Sequence, residues 1–464
     1  MNSATQTMSS QYLFVFAQAH DEFRIPELLS VAELYGFNIT FPTHTRNVDS
    51  SRPFLVLELA SAEHAKLLAR RCILVKSVYE YYGSGRTYDE LHEQTRARQP
   101  QWIQYVDDTS FKFFVSAYNH TIPQSRQREI VESFSYMRMM GKIDMKNPEV
   151  TFACFEEYHD PRGTTSRAKH ERDGTFRKVW FGRLVEEGSA RMLIKEFDVK
   201  KRVYYGNTTM EAEMSLLMAN QTLASPGKLI YDPFVGTGSM TYTTAHFGAL
   251  IFGSDIDGRQ MRGKVKPPGI IRAAAQYGVA DRIVDLFTFD VTRNPWRCGS
   301  LFDAIITDPP YGVRAGAKRL GKKDRPLRPP KETMPREHDL ERVDNQPYIP
   351  PTKPYELSAL ASDLVLLARH MLKARGRLVF FLPTVTDEYE DLDTQTLLCE
   401  GMEIVANSLQ DFGSWGRRLI TIQKNTTMQY PPPSFHHLER AVSAHVPAHR
   451  DFREKYFQGF KGTD

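Results

Sequence analysis

Cysteine is scarce. Only Cys72, Cys154, Cys298 and Cys399 occur in 464 residues, and no two are close in sequence. That spacing excludes a paired-cysteine zinc or redox motif, and scattered thiols suit a reducing compartment. Long apolar runs are missing as well: no stretch approaches the roughly 20 apolar residues a membrane helix needs. The first eleven residues are polar and lack the apolar core of a secretory signal. A soluble cytoplasmic protein, with no membrane partner and no metal site, is the expectation. A surplus of one charge is also absent, since 60 Lys and Arg face 56 Asp and Glu for a net of +4. Any nucleic-acid surface must therefore be a local patch rather than the field of the whole molecule. Core material is plentiful: 41% of the residues are hydrophobic and 11% aromatic. At this length two or three domains are expected.

The amino-terminal third alternates strand and helix signals. Tyr12 to Ala17, Phe54 to Leu59 and Ile73 to Tyr79 read as strands. Between them, Pro26 to Tyr35 has helical spacing with Gly36 as a stop, and Ser61 caps a second helix. This order suggests a ferredoxin-like module over residues 1–95. A second α+β stretch, residues 96–190, holds the strands Phe111 to Tyr118, Thr151 to Phe155 and Phe176 to Leu184, with Pro123 opening a helix. The gap from His159 to Lys178 carries Arg162, Arg167, Lys169, Arg172, Arg177 and Lys178 against three acids. It could lie on RNA phosphates, although a charge run of this kind is more often an ordinary solvated loop.

From residue 191 the pattern changes. Tyr204 to Met210 leads into an apolar helix, Ala212 to Ala219. A strand then runs into Asp232-Pro233-Phe234-Val235-Gly236-Thr237-Gly238, with a helix from about Met240. Strand, glycine turn, helix is a nucleotide-cradling arrangement. The spacing fits neither the dinucleotide fingerprint nor the phosphate-binding loop. Gly236 and Gly238 let backbone approach a ligand closely, and Asp232 can accept from a ligand ammonium. The next strand ends at Asp255, with Asp257 two residues on; either carboxylate could take ribose hydroxyls. Phe287 to Val291 brings Asp290, a candidate acceptor for an adenine amine.

The most unusual stretch is Asp308-Pro309-Pro310-Tyr311-Gly312, directly after the strand Phe302 to Thr307. Each proline fixes φ near roughly −65° and removes an N–H, giving a stiff turn at a strand's carboxyl end. A carboxylate, a proline carbonyl and an aromatic face together suit a flat molecule with an exocyclic amine. A plain strand ending in a proline turn uses the same residues. Beyond it, Arg314, Lys318, Arg319, Lys322, Lys323, Arg325, Arg328 and Lys331 face a single acid, Asp324. That run beside the proline turn is a candidate guide for an RNA backbone. Ser358 reads as the cap of a long helix, Arg377 to Leu382 as a fifth strand, and Glu403 to Ser408 with Arg418 to Gln423 as a closing hairpin. Trp415 in its turn reads as packing.

The paired motifs resemble those of S-adenosylmethionine-dependent methyltransferases acting on exocyclic amines. Lys201 to Glu213, together with Asp308 to Arg314, is similar to the catalytic subunit of the eukaryotic tRNA (guanine-10-N2)-methyltransferases. One position departs from that pattern, Thr209 standing where Ser is expected. The resemblance runs from Tyr12 to about Lys424. It implies a ferredoxin-like region and a THUMP RNA-binding domain ahead of a Rossmann-like methyltransferase domain over residues 191–425, with a tail at 426–464 that carries no motif. It implies a cofactor site at Thr209, Asp232, Phe234, Gly236, Gly238, Asp255 and Asp290, and an amine site at Asp308, Pro309, Pro310 and Tyr311. It further implies a tRNA substrate and a small zinc-binding activator subunit, for which an edge strand at Leu250 to Gly253 is the expected seat. Another RNA or DNA amine methyltransferase would show the same pocket, and a non-catalytic RNA-binding scaffold would need no cofactor.

Overall fold

The computed structural model describes residues 10–42, 49–159, 174–267, 269–311, 316–321, 351–435 and 447–459. The chain forms two compact units, Met1–Asp198 and Val199–Asp464.

In the first unit, β1 (Ser10–Phe16), α1 (Arg24–Tyr35), β2 (Phe54–Leu59), α2 (Ala62–Arg71) and β3 (Val75–Gly85) follow the predicted order. Gly36 closes α1 at φ +73°, a left-handed conformation that glycine adopts without strain. The Ser61 hydroxyl accepts from the His64 N–H at 3.4 Å and starts α2. Helices α3 (Tyr88–Ala97) and α4 (Gln99–Trp102) lead to β4 (Phe111–Tyr118), α5 (Gln124–Ser133), β5 (Val150–Tyr158), β6 (Phe176–Glu187) and α6 (Met192–Glu196). The boundary expected at residue 95 does not interrupt the sheet. Its order is β2-β1-β3-β6-β5-β4, so the two predicted modules share six strands. The join is the antiparallel pairing of β3 with β6, from Ser77–Glu187 to Gly85–Val179. Long-range pairing of this kind has no signal in local periodicity. Of the basic residues in the 159–178 gap, Arg177 and Lys178 belong to β6, while Arg162, Arg167, Lys169 and Arg172 lie outside the described residues.

In the second unit, α7 (Ala212–Gln221) precedes β7 (Leu229–Asp232), α8 (Ser239–His246), β8 (Leu250–Asp255), α9 (Gly258–Arg262), α10 (Gly269–Gln276), β9 (Ile283–Thr288) and β10 (Phe302–Thr307). A small ribbon of β11 (Lys318–Leu320) and β12 (Thr352–Pro354) comes next, then α11 (Leu357–Met371), β13 (Leu372–Val385), α12 (Asp391–Gln395), β14 (Met402–Asp411), β15 (Trp415–Lys424) and α13 (Phe452–Gln458). The seven-stranded order is β14-β15-β13-β10-β7-β8-β9. Strand β10 pairs in parallel with both β7 and β13, and β15 runs antiparallel between β13 and β14. The fold is thus α/β and doubly wound, with the predicted hairpin closing one side. The chain leaves β7 toward β9 and returns to β10 on the other side of β7. The carboxyl ends of β7 and β10 therefore meet where the strand order reverses, and open α/β sheets bind ligands there.

The core explains why the sheet holds those ends still. Tyr231 and Phe302 on neighbouring strands stack at 5.0 Å, and Trp296 meets both rings edge-on at 5.6 and 5.2 Å. Leu364, Leu367, Ala368 and Met371 of α11 pack on the same cluster with Phe380 and Ile420. Two local expectations need correction. Glu356 caps α11, accepting from the N–H groups of Ser358 and Ala359 at 2.9 and 2.8 Å, so Ser358 lies inside the helix. Leu250 to Gly253 is not an edge: β8 lies between β7 and β9, and β9 is the outer strand on that side. Register with neighbours, rather than composition, decides which strand is outermost.

Candidate active site

The glycine turn sits between two acids. Asp232 ends β7 and is fully buried. Its Oδ1 accepts from the Phe234 N–H at 3.0 Å and the Thr307 hydroxyl at 2.9 Å, while Oδ2 has no partner among the described residues. Burial raises its pKa to about 8, and the carboxylates of Asp255 and Asp308 add to the rise. Asp255 ends β8; its Oδ2 accepts from the Gly236 N–H at 3.0 Å and its Oδ1 from the Asp257 N–H at 2.8 Å. Burial raises this carboxyl too, against those two backbone bonds. Gly236 (φ +50°) and Gly238 (φ +84°) both take left-handed backbone, and a Cβ on Gly238 would strike the Tyr242 hydroxyl at 2.9 Å. Thr209 reaches the turn through its hydroxyl, 3.0 Å from that of Thr237, while accepting from the Gly206 N–H at 2.8 Å. Asp257, the second ribose candidate, is held in a fork by Arg259 at 2.8 and 2.8 Å.

Asp290 is buried, but its acceptors are in use. Its Oδ1 takes the N–H and hydroxyl of Thr292 at 2.8 and 2.9 Å, and its Oδ2 takes the Leu320 N–H at 2.5 Å. The Leu320 N–H thus shares the oxygen expected for an adenine amine, and Asp290 also anchors the ribbon strand β11. Of the basic residues proposed for RNA, Lys318 and Arg319 lie in this strand, Lys318 exposed and Arg319 over the Tyr355 ring at 5.4 Å. Arg314, Lys322, Lys323 and Arg325 lie outside the described residues.

One residue past Thr307, Asp308 follows the hydroxyl that bonds Asp232. Its Oδ1 is buried without a partner among the described residues. Burial lifts its pKa to about 7; Arg417 pulls it down and Glu211 pushes it up. Pro309 is buried, and Pro310 and Tyr311 are partly buried. Burial holds the Tyr311 phenol at about 12 despite the nearby Arg417. Arg417 itself is 6% exposed on β15. It donates from Nε to Gln410 at 2.6 Å and from Nη2 to Glu211 at 2.5 Å, and its guanidinium lies over the Phe381 ring at 4.3 Å. Gln410 also donates to Glu211 at 3.1 Å.

This Arg417–Glu211–Gln410 network escaped the sequence reading. Glu211 stood only within a family-like stretch, and the other two come from the closing hairpin some 200 residues on. Arg202 is a further missed residue: it is buried, donates to the Ser239 hydroxyl at 3.0 Å and lies over the Tyr242 ring at 4.8 Å. It braces the helix that follows the glycine turn. Trp415 packs on Phe412, Phe452 and Tyr456, as expected of a packing residue.

A sheet that brings a glycine turn, two open carboxylate oxygens and a proline clamp to adjoining strand ends can hold a cationic ligand and an amine side by side. Comparison with known proteins gives the family. A family model described as the Tmrp11 THUMP N-terminal domain matches residues 10–191. The chain is 37% identical over 455 residues to the tRNA (guanine(10)-N(2))-methyltransferase of Saccharomyces cerevisiae, covering 97% of this chain and 99% of the yeast protein. It is 35% identical to the protein of the same name from Schizosaccharomyces pombe, covering 97% and 96%. Among solved structures, TrmN from Thermus thermophilus aligns over 89% of this chain and 99% of that one, with 16% identity and a TM-score of 0.41. On similarity of this level along nearly its whole length, the chain belongs to the tRNA (guanine(10)-N(2))-methyltransferase family.

Proposed function

We propose that this chain transfers a methyl group from S-adenosylmethionine to the exocyclic N2 amine of guanosine 10 in tRNA. The named activity of its relatives supports the reaction and the substrate. One observation carries the residue-level reading: Asp232 Oδ2 and Asp308 Oδ1, both buried and unpartnered among the described residues, stand at the ends of paired strands. A buried carboxylate without a countercharge is costly, and Asp255 and Asp308 add to the rise of Asp232. A ligand bearing an ammonium and a sulfonium matches that cluster. When bound, S-adenosylmethionine supplies an electrophilic methyl group. Asp232 is the acceptor for the ammonium, Gly236 and Gly238 leave the turn open, and Asp255 takes the ribose hydroxyls while holding the turn.

Asp308 and the Pro309 carbonyl accept the two hydrogens of the guanine amine, and Tyr311 offers a ring on which the base stacks. The amine is a poor nucleophile because its lone pair is delocalised into the ring. Fixing both hydrogens turns that lone pair out of conjugation, and positioning of this kind can supply roughly 7–11 kcal/mol of a barrier. A carboxyl held near 7 is also matched to receive the proton the amine releases. The base must leave its stack to reach the clamp, at a cost of a few kcal/mol. Lys318 and Arg319 then track the RNA backbone beside it.

The reading includes an activator subunit forming a heterodimer with this catalytic chain. The outer strand β9, with Val284 47% exposed, is the open sheet edge where a partner strand could add. A cytoplasmic setting accords with four free cysteines; among the described residues no helix is long and apolar enough to cross a membrane. Radiolabelled methyl transfer to bulk tRNA, with the activator co-expressed and nucleosides analysed afterwards, tests the proposal. Label in N2-methylguanosine that disappears in Asp308→Ala is expected. Cofactor binding without label in tRNA would move the substrate to another RNA, DNA or protein.

A further inference from the structure

The tail, which carries no readable motif, folds back onto the clamp. Helix α13 sets Phe452, 1% exposed, edge-on to Tyr311 at 6.5 Å and against Trp415 at 5.6 Å. A cavity of about 620 Å³ opens between this helix and the proline turn, lined among others by Pro310, Tyr311, Tyr355, Phe452, Glu454 and Phe457. Its size lies within the range of small-ligand sites, and four aromatic residues stand in its wall beside the charged Glu356, Asp451, Arg453 and Glu454. Not every ring is free to meet a ligand. Tyr355 is 5% exposed, with its hydroxyl on Asp363 and its N–H on Ala317, and Phe452 is packed away. Phe457, by contrast, is 63% exposed beside the cavity. An enzyme that works on an extruded base commonly holds it between two apolar or aromatic surfaces. Tyr311 offers one such surface, and the described residues of its own strand end offer no second.

We propose that α13 is the outer wall of the base pocket and that Phe457 is the second aromatic surface against which the extruded guanine rests. The inference depends on the reading of Tyr311 as the stacking residue of an amine methyltransferase. It makes the carboxyl-terminal tail a part of substrate binding. The occupant is a nucleobase because the cavity shares Pro310 and Tyr311 with the amine clamp.

The test compares wild type with Phe457→Ala, Phe457→Leu and Phe457→Trp in the full chain with its activator, measuring methyl transfer to tRNA and S-adenosylmethionine affinity. Loss of one stacking surface should lower kcat/KM roughly 5- to 150-fold, mostly through KM. Cofactor affinity should stay unchanged because Phe457 is exposed and the cavity it lines includes no residue of the glycine turn. Trp should restore activity and Leu should not, since only a ring stacks. Wild-type kcat/KM in Phe457→Ala, or full rescue by Leu, would overturn the assignment while leaving the methyltransferase reading intact. A wild type that leaves tRNA unlabelled would overturn both.

Discussion

Replacing Arg417 with Met should move the acidic limb of the pH–rate profile without moving the rest of the reaction. On the proposed reading Asp308 accepts the amine hydrogen most strongly, and can take up the released proton, when ionised. Its pKa stands near 7, so activity should rise as pH rises through that value. Four charged or titratable groups face it: Arg417 favours the ionised form, Glu211 opposes it, Asp232 across Thr307 interacts as a like charge, and the Tyr311 phenol stays neutral beside it. At an effective dielectric of about 20 and a separation of about 5 Å, one cation contributes roughly 3 kcal/mol, or about two pH units as a ceiling. Glu211 shares the same guanidinium, so a rise of about 1.5 units is expected on its removal. At pH 7.5 the ionised fraction would then drop about eightfold, and raising the pH to about 9.5 would recover it. Arg417→Lys should keep most of the limb in place. Glu211→Gln should move it the other way, toward lower pH, because an anion has gone. The assay is single-turnover methyl transfer to saturating tRNA between pH 6 and 9.5. A uniform loss in Arg417→Met, with the limb still near pH 7, would make Arg417 a packing residue and refute the electrostatic argument.

Asp232→Asn should stabilise the cofactor-free protein while weakening the cofactor. The folded pKa near 8 lies above the ordinary carboxylate value, so the penalty builds from about pH 4 and is complete above pH 8. Thermal unfolding should show a gain of several degrees at pH 8.5 that vanishes at pH 4, and equal curves at both would contradict the burial argument. Lys318→Glu and Arg319→Glu should each weaken tRNA binding and reduce the slope of log affinity against log salt by about one, checked by salt titration. Val284→Asp on β9 should abolish co-purification with the activator and leave the glycine turn's cofactor affinity alone.

Much of the fold was legible because its signals are local. Phe54–Leu59, Phe111–Tyr118 and Phe302–Thr307 fall where the strand patterns put them, since a run of apolar or alternating residues bounded by turn formers is itself the strand. Strand-end acids could be nominated for the same reason. What those acids bond to could not. Asp290 accepts from Leu320, thirty residues away along the chain, and Arg417 reaches Glu211 across 206. The first pair exists only once β11 has returned to the end of β9, and the second only once β15 has been laid antiparallel to β13. The same holds for the shared six-stranded sheet of the first unit, where β3 and β6 meet across about 100 residues.

The electrostatic cost of this site has a structural counterpart. Burial raises Asp232, Asp255 and Asp308, and the last two add to the rise of Asp232, yet among the described residues it is Asp308 that has the buried cation Arg417 beside it. Packing alone would not retain Asp232: a neutral side chain could take the Phe234 N–H and the Thr307 hydroxyl at lower cost. An unpartnered buried oxygen is kept where a ligand completes it. Arg417 cannot serve both acids, because Glu211, Gln410 and Phe381 fix its guanidinium on the clamp side. The two carboxylates are thereby set for different tasks by their surroundings. On the proposed reading, Asp232, raised by burial with no cation beside it among the described residues, receives a cation, and Asp308, with Arg417 beside it, accepts a hydrogen from a neutral amine. Exchanging the two environments would lose both functions while keeping every residue at the strand ends, so Arg417, more than Asp308 alone, distinguishes an amine clamp from a second cation site.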